Sequence, residues 1–284
     1  MSARRAHHQP SYIIAAHGGA GYHPPASDSS LKRSLRAAIS SALPAFSRAT
    51  SSGGSSSESS SSWSALDATT AVIAALEDHP DFNAGYGSNL TFDGQVECDA
   101  SLMLSTTEER SLPSLPSLPS SPFSYSFGSV GAVSGVRNPV LLARCVLEER
   151  IRERERGAGM GMGMGRVPPL MLVGEGAVKF ARERRAVRVV DTPDSEEMVA
   201  PRAREEWRVW RERCSRWKDD DDGFESRDLL QGGEEELEAE LEPLRVRQDT
   251  VGAVVLVGGS DTEALEVAAG VSRCVMSSFP LTRA

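Results

Sequence analysis

The chain has 284 residues, enough for one large domain or two small ones, with 39% apolar residues and a formal net charge of −9. Asp219–Glu242 alone carries 12 acidic residues and one Arg, or −11, which leaves about +2 for the rest and gives no reason to expect a nucleic-acid partner. No apolar run reaches membrane-spanning length, and Tyr12–Ala16 is too short for a signal peptide, so a cytoplasmic or nuclear location without a membrane partner is expected. Cys98, Cys145, Cys214 and Cys274 show no metal-like spacing. They are expected as free thiols, with no metal and no cofactor.

In chain order, Tyr12–Ala16 reads as a buried strand running into His17-Gly18-Gly19-Ala20-Gly21, where backbone can approach another group closely. The dinucleotide fingerprint is excluded there because Tyr22-His23-Pro24-Pro25 follows instead of a helix start. Leu31–Phe46 is helical, with Leu35, Ala38, Ile39 and Ala42 on one face. Residues 50–62 are almost all Ser and Gly and read as a flexible insertion. Ser64 is an N-cap, with Asp67 in the first turn of a helix that runs to Asp78 and is stopped by Pro80.

Asp81–Met103 is the densest stretch. Asp93-Gly94 is a hairpin turn signal, and the polar residues crowding it lack strand alternation, the pattern of a site rather than of a plain sheet. Residues 111–122 repeat Ser-Leu-Pro and read as a loop insertion. Ser129–Val136 is a glycine-bearing strand, and Asn138-Pro139 opens a helix to Arg154. Residues 157–165 form a low-complexity loop, Leu170–Val173 a short strand and Gly176–Arg185 a helix. Trp207, Trp210, Cys214 and Trp217 line one face of an Arg-rich helix. Such a stripe more often covers the protein's own core or a dimer mate than docks a partner. Residues 219–242 read as a solvated linker.

After that linker comes Asp249-Thr250-Val251-Gly252-Ala253-Val254-Val255-Leu256-Val257, an apolar β-branched strand headed by a hydroxyl residue. Cleavage of the Asp249–Thr250 bond would give Thr250 a free α-amine with a reference pKa of about 7.7–8.0, making one residue both nucleophile and base.

Five blocks, Ile14–Gly21, Ala65–Met103, Val130–Arg144, Met171–Ala181 and Asp249–Leu256, together resemble the plant-type asparaginase and isoaspartyl peptidase family of N-terminal nucleophile hydrolases. The run N-A-G-Y-G-S-N-L, the run E-C-D-A-S and the Asp before the Thr are similar to its threonine aspartase (taspase-like) branch. The resemblance implies an α/β fold, the αββα sandwich. It also implies autocleavage into an α-chain, residues 1–249, and a β-chain beginning at Thr250. Thr250 would be the catalytic nucleophile, Asn83 would position or stabilise groups around it, and Gly18 and Gly19 would pack beside it. The implied activity is endopeptidase cleavage after aspartate in a protein or peptide substrate. Asparaginase or isoaspartyl peptidase activity is the alternative, and a homodimer is compatible with either. A third reading is an inactive chain that serves only as an interaction protein through the Trp/Arg helix.

The family pattern continues past the nucleophile strand with T-S-T-G-G or V-S-S-G-G. Here the chain reads Val271-Ser272-Arg273-Cys274-Val275, so the hydroxyl residue expected beside the nucleophile is Arg273, and residues 273–284 are not family-like. The expectation is a truncated β-chain that fails to cleave itself.

Overall fold

The structure, a computed structural model, describes residues 11–19, 27–47, 64–107, 123–158, 168–185, 187–219, 250–258 and 265–274. The insertions expected at 50–62 and 111–122, nearly all of those at 157–165 and 219–242, Asp249 and residues 275–284 lie outside it.

Alternation and β-branching build six strands: β1 (Ser11–His17), β2 (Cys98–Thr107), β3 (Phe123–Val133), β4 (Met171–Val173), β5 (Val251–Gly258) and β6 (Leu265–Cys274). They form one sheet in the order β1-β5-β6-β2-β3-β4, antiparallel except for the β3–β4 pair. The helices are α1 (Asp28–Ser47), α2 (Ala65–Glu77), α3 (Pro139–Ala158), α4 (Gly174–Arg184) and α5 (Pro201–Asp219).

The α/β class is as expected. Of the four-layer sandwich, the described residues supply one sheet and its helical cover.

Register decides which side is core. Directly paired residues share a face, and the pairs Val255–Ala268, Ala253–Gly270 and Cys98–Cys274 all lie on the buried, helix-covered side. There Ile73, Leu76, Leu142 and Leu147 from α2 and α3 meet Leu102, Val130 and Val255 from the strands. The opposite side carries Ile13, Met103, Tyr125, Phe127, Val254 and Val271, all exposed. A depression of about 370 Å³ on that side is lined mainly by Ala15, His17, Met103, Phe127, Val254 and Val271.

Local signals were mostly realised. Ser64 Oγ accepts a hydrogen bond from the Asp67 backbone N–H at 3.2 Å and starts α2 as expected. Asp93-Gly94 does turn, with Gly94 at φ +80° and Gly94 N–H donating to the Thr91 carbonyl at 2.9 Å. Its flanks, however, are irregular coil rather than hairpin strands. β2, read in the sequence only as part of a polar crowd, is a full central strand. β3 begins at Phe123, earlier than the expected Ser129.

Candidate functional site

Four neighbouring strands end together at one end of the sheet. β1 finishes at His17, β5 begins just after Thr250, β6 finishes at Arg273 and Cys274, and β2 begins at Cys98. Val251 pairs with Ser272, so continuing the ladder by one step sets Thr250 opposite Arg273. Thr250 has the parity of Gly252 and Val254, which places it toward the helix-free side. Thr250 itself is half-buried.

Two glycines let the strand ends close on each other. His17 pairs with Gly252, and a Cβ on Gly252 would collide with the imidazole Nε2 of His17. A Cβ on Gly18 would lie 2.5 Å from the ring of Phe82, so the chain after β1 rests directly on the residue preceding Asn83. Gly19 follows at φ +108°, a left-handed conformation that a side chain would strain.

Asn83 is buried. Its Oδ1 accepts from the Asn89 backbone N–H at 2.8 Å, and its carbonyl accepts from Cys274 N–H at 3.2 Å. The structure therefore gathers Gly18, Gly19, Asn83 and Thr250 at one end of the sheet. Asp249, the residue before the expected scissile bond, lies outside the described residues.

Sequence reasoning missed the carboxylates Asp99 and Glu77 here, and placed Ser272 only as a hydroxyl one step out of register. Asp99 pairs with Arg273 in the ladder, their side chains approach to 3.7 Å, and Asp99 Oδ1 accepts from Ala132 N–H at 2.9 Å. Only strand register brings residues 99 and 273 together, and no local pattern announces it. Ser272, next to Arg273, points to the helix-covered side and is fully buried. It lies within reach of Glu77, a fully buried carboxyl on α2. Burial pushes the Glu77 carboxyl up to about 8, against the Ser272 hydroxyl and the Val140 N–H, which favour the charged form. Its Oε1 accepts from Val140 N–H at 2.9 Å at the start of α3. Glu77 Oε2 and Ser272 Oγ make no hydrogen bond of ordinary geometry. The signal available in the sequence was an acid at the end of an otherwise apolar helix face.

A second constellation has the residue types of a nucleophilic triad and fails on hydrogen bonding. Ser34 Oγ lies 2.8 Å from His79 Nε2, and His79 Nδ1 lies 4.0 Å from the Asp81 carboxylate. Nδ1 already accepts from the Asp81 backbone N–H at 3.2 Å. The neutral ring therefore carries its proton on Nε2 and donates to Ser34, the reverse of what a general base needs. Burial lowers the His79 pKa, with the Asp81 charge opposing, which favours that neutral ring.

The Trp/Arg face of α5 is turned to this chain. Trp207 Nε1–H donates to the Phe92 carbonyl at 3.2 Å, Trp207 lies against Gly94, and Arg211 stacks over both Phe92 and Trp207. The side chains of Cys214 and Trp217 lie outside the described residues. Among the described residues no group of three or more His, Cys, Asp and Glu could hold a metal ion, and no helix is long and apolar enough to cross a membrane.

Comparison with known proteins gives matches over part of the chain. Residues 10–112 match the Asparaginase family. The chain is 39% identical over 119 residues to the plant-type L-asparaginase of Pyrococcus horikoshii, covering 42% of this chain and 28% of that protein. It is 36% identical over 123 residues to the isoaspartyl peptidase/L-asparaginase of Rattus norvegicus, covering 42% of this chain and 26% of that protein. The Bos taurus isoaspartyl peptidase/L-asparaginase is 30% identical over 141 residues, covering 50% and 33%. The chain thus spans about a quarter to a third of the length of these relatives. The family match contains β1, Gly18, Gly19, α2, Asn83 and β2, and it ends before Thr250. Over residues 10–112 the chain is therefore similar to the asparaginase family, and its likenesses are to plant-type asparaginases and isoaspartyl peptidases.

Proposed function

We propose that the chain carries the nucleophile and surrounding strand ends of a self-processing threonine-nucleophile hydrolase of the asparaginase and isoaspartyl peptidase type, with Arg273 arresting processing in the chain as it stands. The observation that carries this reading is the position of Thr250. It heads β5 at the sheet end where His17, Gly18 and Asn83 converge, in a chain whose first part is similar to those enzymes.

Processing begins with attack of the Thr250 hydroxyl on the Asp249 carbonyl carbon. The acyl group moves from nitrogen to oxygen, and water opens the resulting ester. The freed α-amine then takes the hydroxyl proton as Thr250 attacks a substrate carbonyl. With asparagine or a β-aspartyl peptide, the amine leaves, and water releases aspartate from the acyl-enzyme. Asn83 serves this step by positioning or stabilising groups around Thr250, and Gly18 and Gly19 let the β1 end pack close beside it.

A second reading, endopeptidase cleavage after aspartate, is favoured by Asp249 and by the run Asn83–Leu90. Turnover of asparagine and β-aspartyl dipeptides against cleavage of a protein after aspartate separates the two.

Arg273 stands opposite Thr250 where a hydroxyl is expected, and loss of one oxyanion donor typically costs about 10²–10³ in rate. The 284-residue chain is therefore expected to stay a single polypeptide over hours, by intact-mass spectrometry. A fusion carrying the β-chain of a plant-type asparaginase from the Arg273 position onward should yield a fragment beginning at Thr250, and Thr250→Ala should abolish it. Cleavage that persists in the Thr250→Ala fusion would remove Thr250 from this role.

A further inference from the structure

The proposed chemistry makes no use of two buried thiols that stand directly across the β2–β6 ladder. Cys98 pairs with Cys274, both on the helix-covered side, and both are reduced thiols. Directly opposed residues of antiparallel strands have Cα atoms about 4.5–5.5 Å apart. A disulfide needs about 4.4–6.8 Å between Cα atoms and side chains on one face. The two thiols already lie within hydrogen-bonding reach of each other.

Their other contacts lead to the candidate site. Cys98 Sγ lies 3.2 Å from Ser88 Oγ. Cys274 Sγ–H donates to the Asn89 carbonyl at 2.8 Å, Asn89 N–H donates to Asn83 Oδ1, and Cys274 N–H donates to the Asn83 carbonyl.

We propose that Cys98 and Cys274 form a redox modification site, closing to a cross-strand disulfide under peroxide-class oxidants and thereby changing the support of the Asn83–Asn89 segment. The Cys274 sulfur, at the end of β6, attacks a peroxide oxygen. The O–O bond breaks, giving a sulfenic acid and, with the thiol proton, one water. The Cys98 sulfur then attacks the sulfenic sulfur, the S–S bond forms, and the sulfenic hydroxyl leaves as a second water with the Cys98 proton. Two thiols lose two electrons in total, and one peroxide is reduced to two waters.

The usual spacing of such a pair accommodates the bond, which removes the Sγ–H donor from the Asn89 carbonyl. The Cys274 thiol and burial together raise the Cys98 pKa well above the ordinary thiol value. The Cys98 attack on the sulfenic sulfur is therefore slow at neutral pH and accelerates as pH rises, with the Glu77 carboxyl the other titratable group facing Cys98. This inference stands on the ladder alone and is independent of the hydrolase reading.

The test is to treat the folded full chain with hydrogen peroxide, alkylate it under denaturing conditions, and map cross-linked tryptic peptides by mass spectrometry. The expected result is loss of two hydrogens from the intact mass, a peptide joining Cys98 to Cys274, and reversal by dithiothreitol. A Cys145→Ser/Cys214→Ser variant should give the same link to the same extent. Full alkylation of Cys98 and Cys274 after peroxide, or a link from either of them to Cys145 or Cys214 in the unsubstituted chain, would overturn the proposal.

Discussion

Glu77 is a fully buried carboxyl, and its proton is part of the fold. Its pKa stands near 8 in the folded chain against 4.5 for the free group, chiefly through desolvation. The folded state therefore holds a proton that the unfolded chain releases. The stabilisation is fully present below pH 4.5 and is lost progressively as pH rises from there through 8. The loss should total on the order of 5 kcal/mol. In Glu77→Gln, which keeps a neutral acceptor for Val140 N–H, the slope of stability between those pH values should flatten in urea titrations. Glu77→Ala should cost about 2–4 kcal/mol at pH 5, by leaving that N–H unpartnered and opening a cavity. A pH slope unchanged in Glu77→Gln would show that the carboxyl is ionised in the fold.

At the scale of elements, α3 is held to the sheet at one position where no side chain intervenes. A Cβ on Gly128 of β3 would run into the Leu147 backbone nitrogen and lie 2.5 Å from the Ala143 carbonyl oxygen, so α3 rests on bare strand backbone. Gly128→Ala should destabilise by about 1–3 kcal/mol, because backbone cannot swing aside as a side-chain tip can. Thermal and urea melts of the variant measure this, and a loss within error would mean that α3 sits higher on the sheet. The α2 start is secured twice. Ser64 caps Asp67 N–H, and Glu266 from β6 accepts from Leu66 N–H at 3.3 Å. Ser64→Ala should therefore cost about 1 kcal/mol or less, the low side of a typical cap.

Across the whole molecule, the sheet order interleaves the two expected products. β5 and β6 follow the proposed cleavage point, yet they sit between β1 and β2, which precede it. In the fusion that cleaves at Thr250, the fragments should therefore stay joined by the β1–β5 and β2–β6 ladders. They should co-elute on gel filtration and part only in denaturant, and separation in native buffer would contradict this order. The helix-free side carries Ile13, Met103, Phe127, Val254 and Val271 in one exposed apolar field. The 284-residue chain should bind a hydrophobic dye, and Phe127→Ser with Val254→Thr should reduce the fluorescence. Unchanged fluorescence in that double variant would locate the dye elsewhere.

How much of this was legible in the sequence depends on the range of the interaction. The α2 cap, the Asp93-Gly94 turn, the apolar strand after Thr250 and the glycines after β1 were readable because each is set by residues a few positions apart. β2 was not read, although its buried Cys98, Ala100 and Leu102 alternate with Asp99, Ser101 and Met103, because the polar run leading into it hides where the alternation begins. The grouping of Asn83, Gly18 and Thr250 came from family likeness, and no spacing could have derived it. Asp99 opposite Arg273, Cys98 opposite Cys274 and Glu77 beside Ser272 join residues more than 170 positions apart. Such pairs exist only once six strands have taken a register. Hydrophobic alternation fixes which face a residue takes, but only the closed ladder fixes which residue stands across from it.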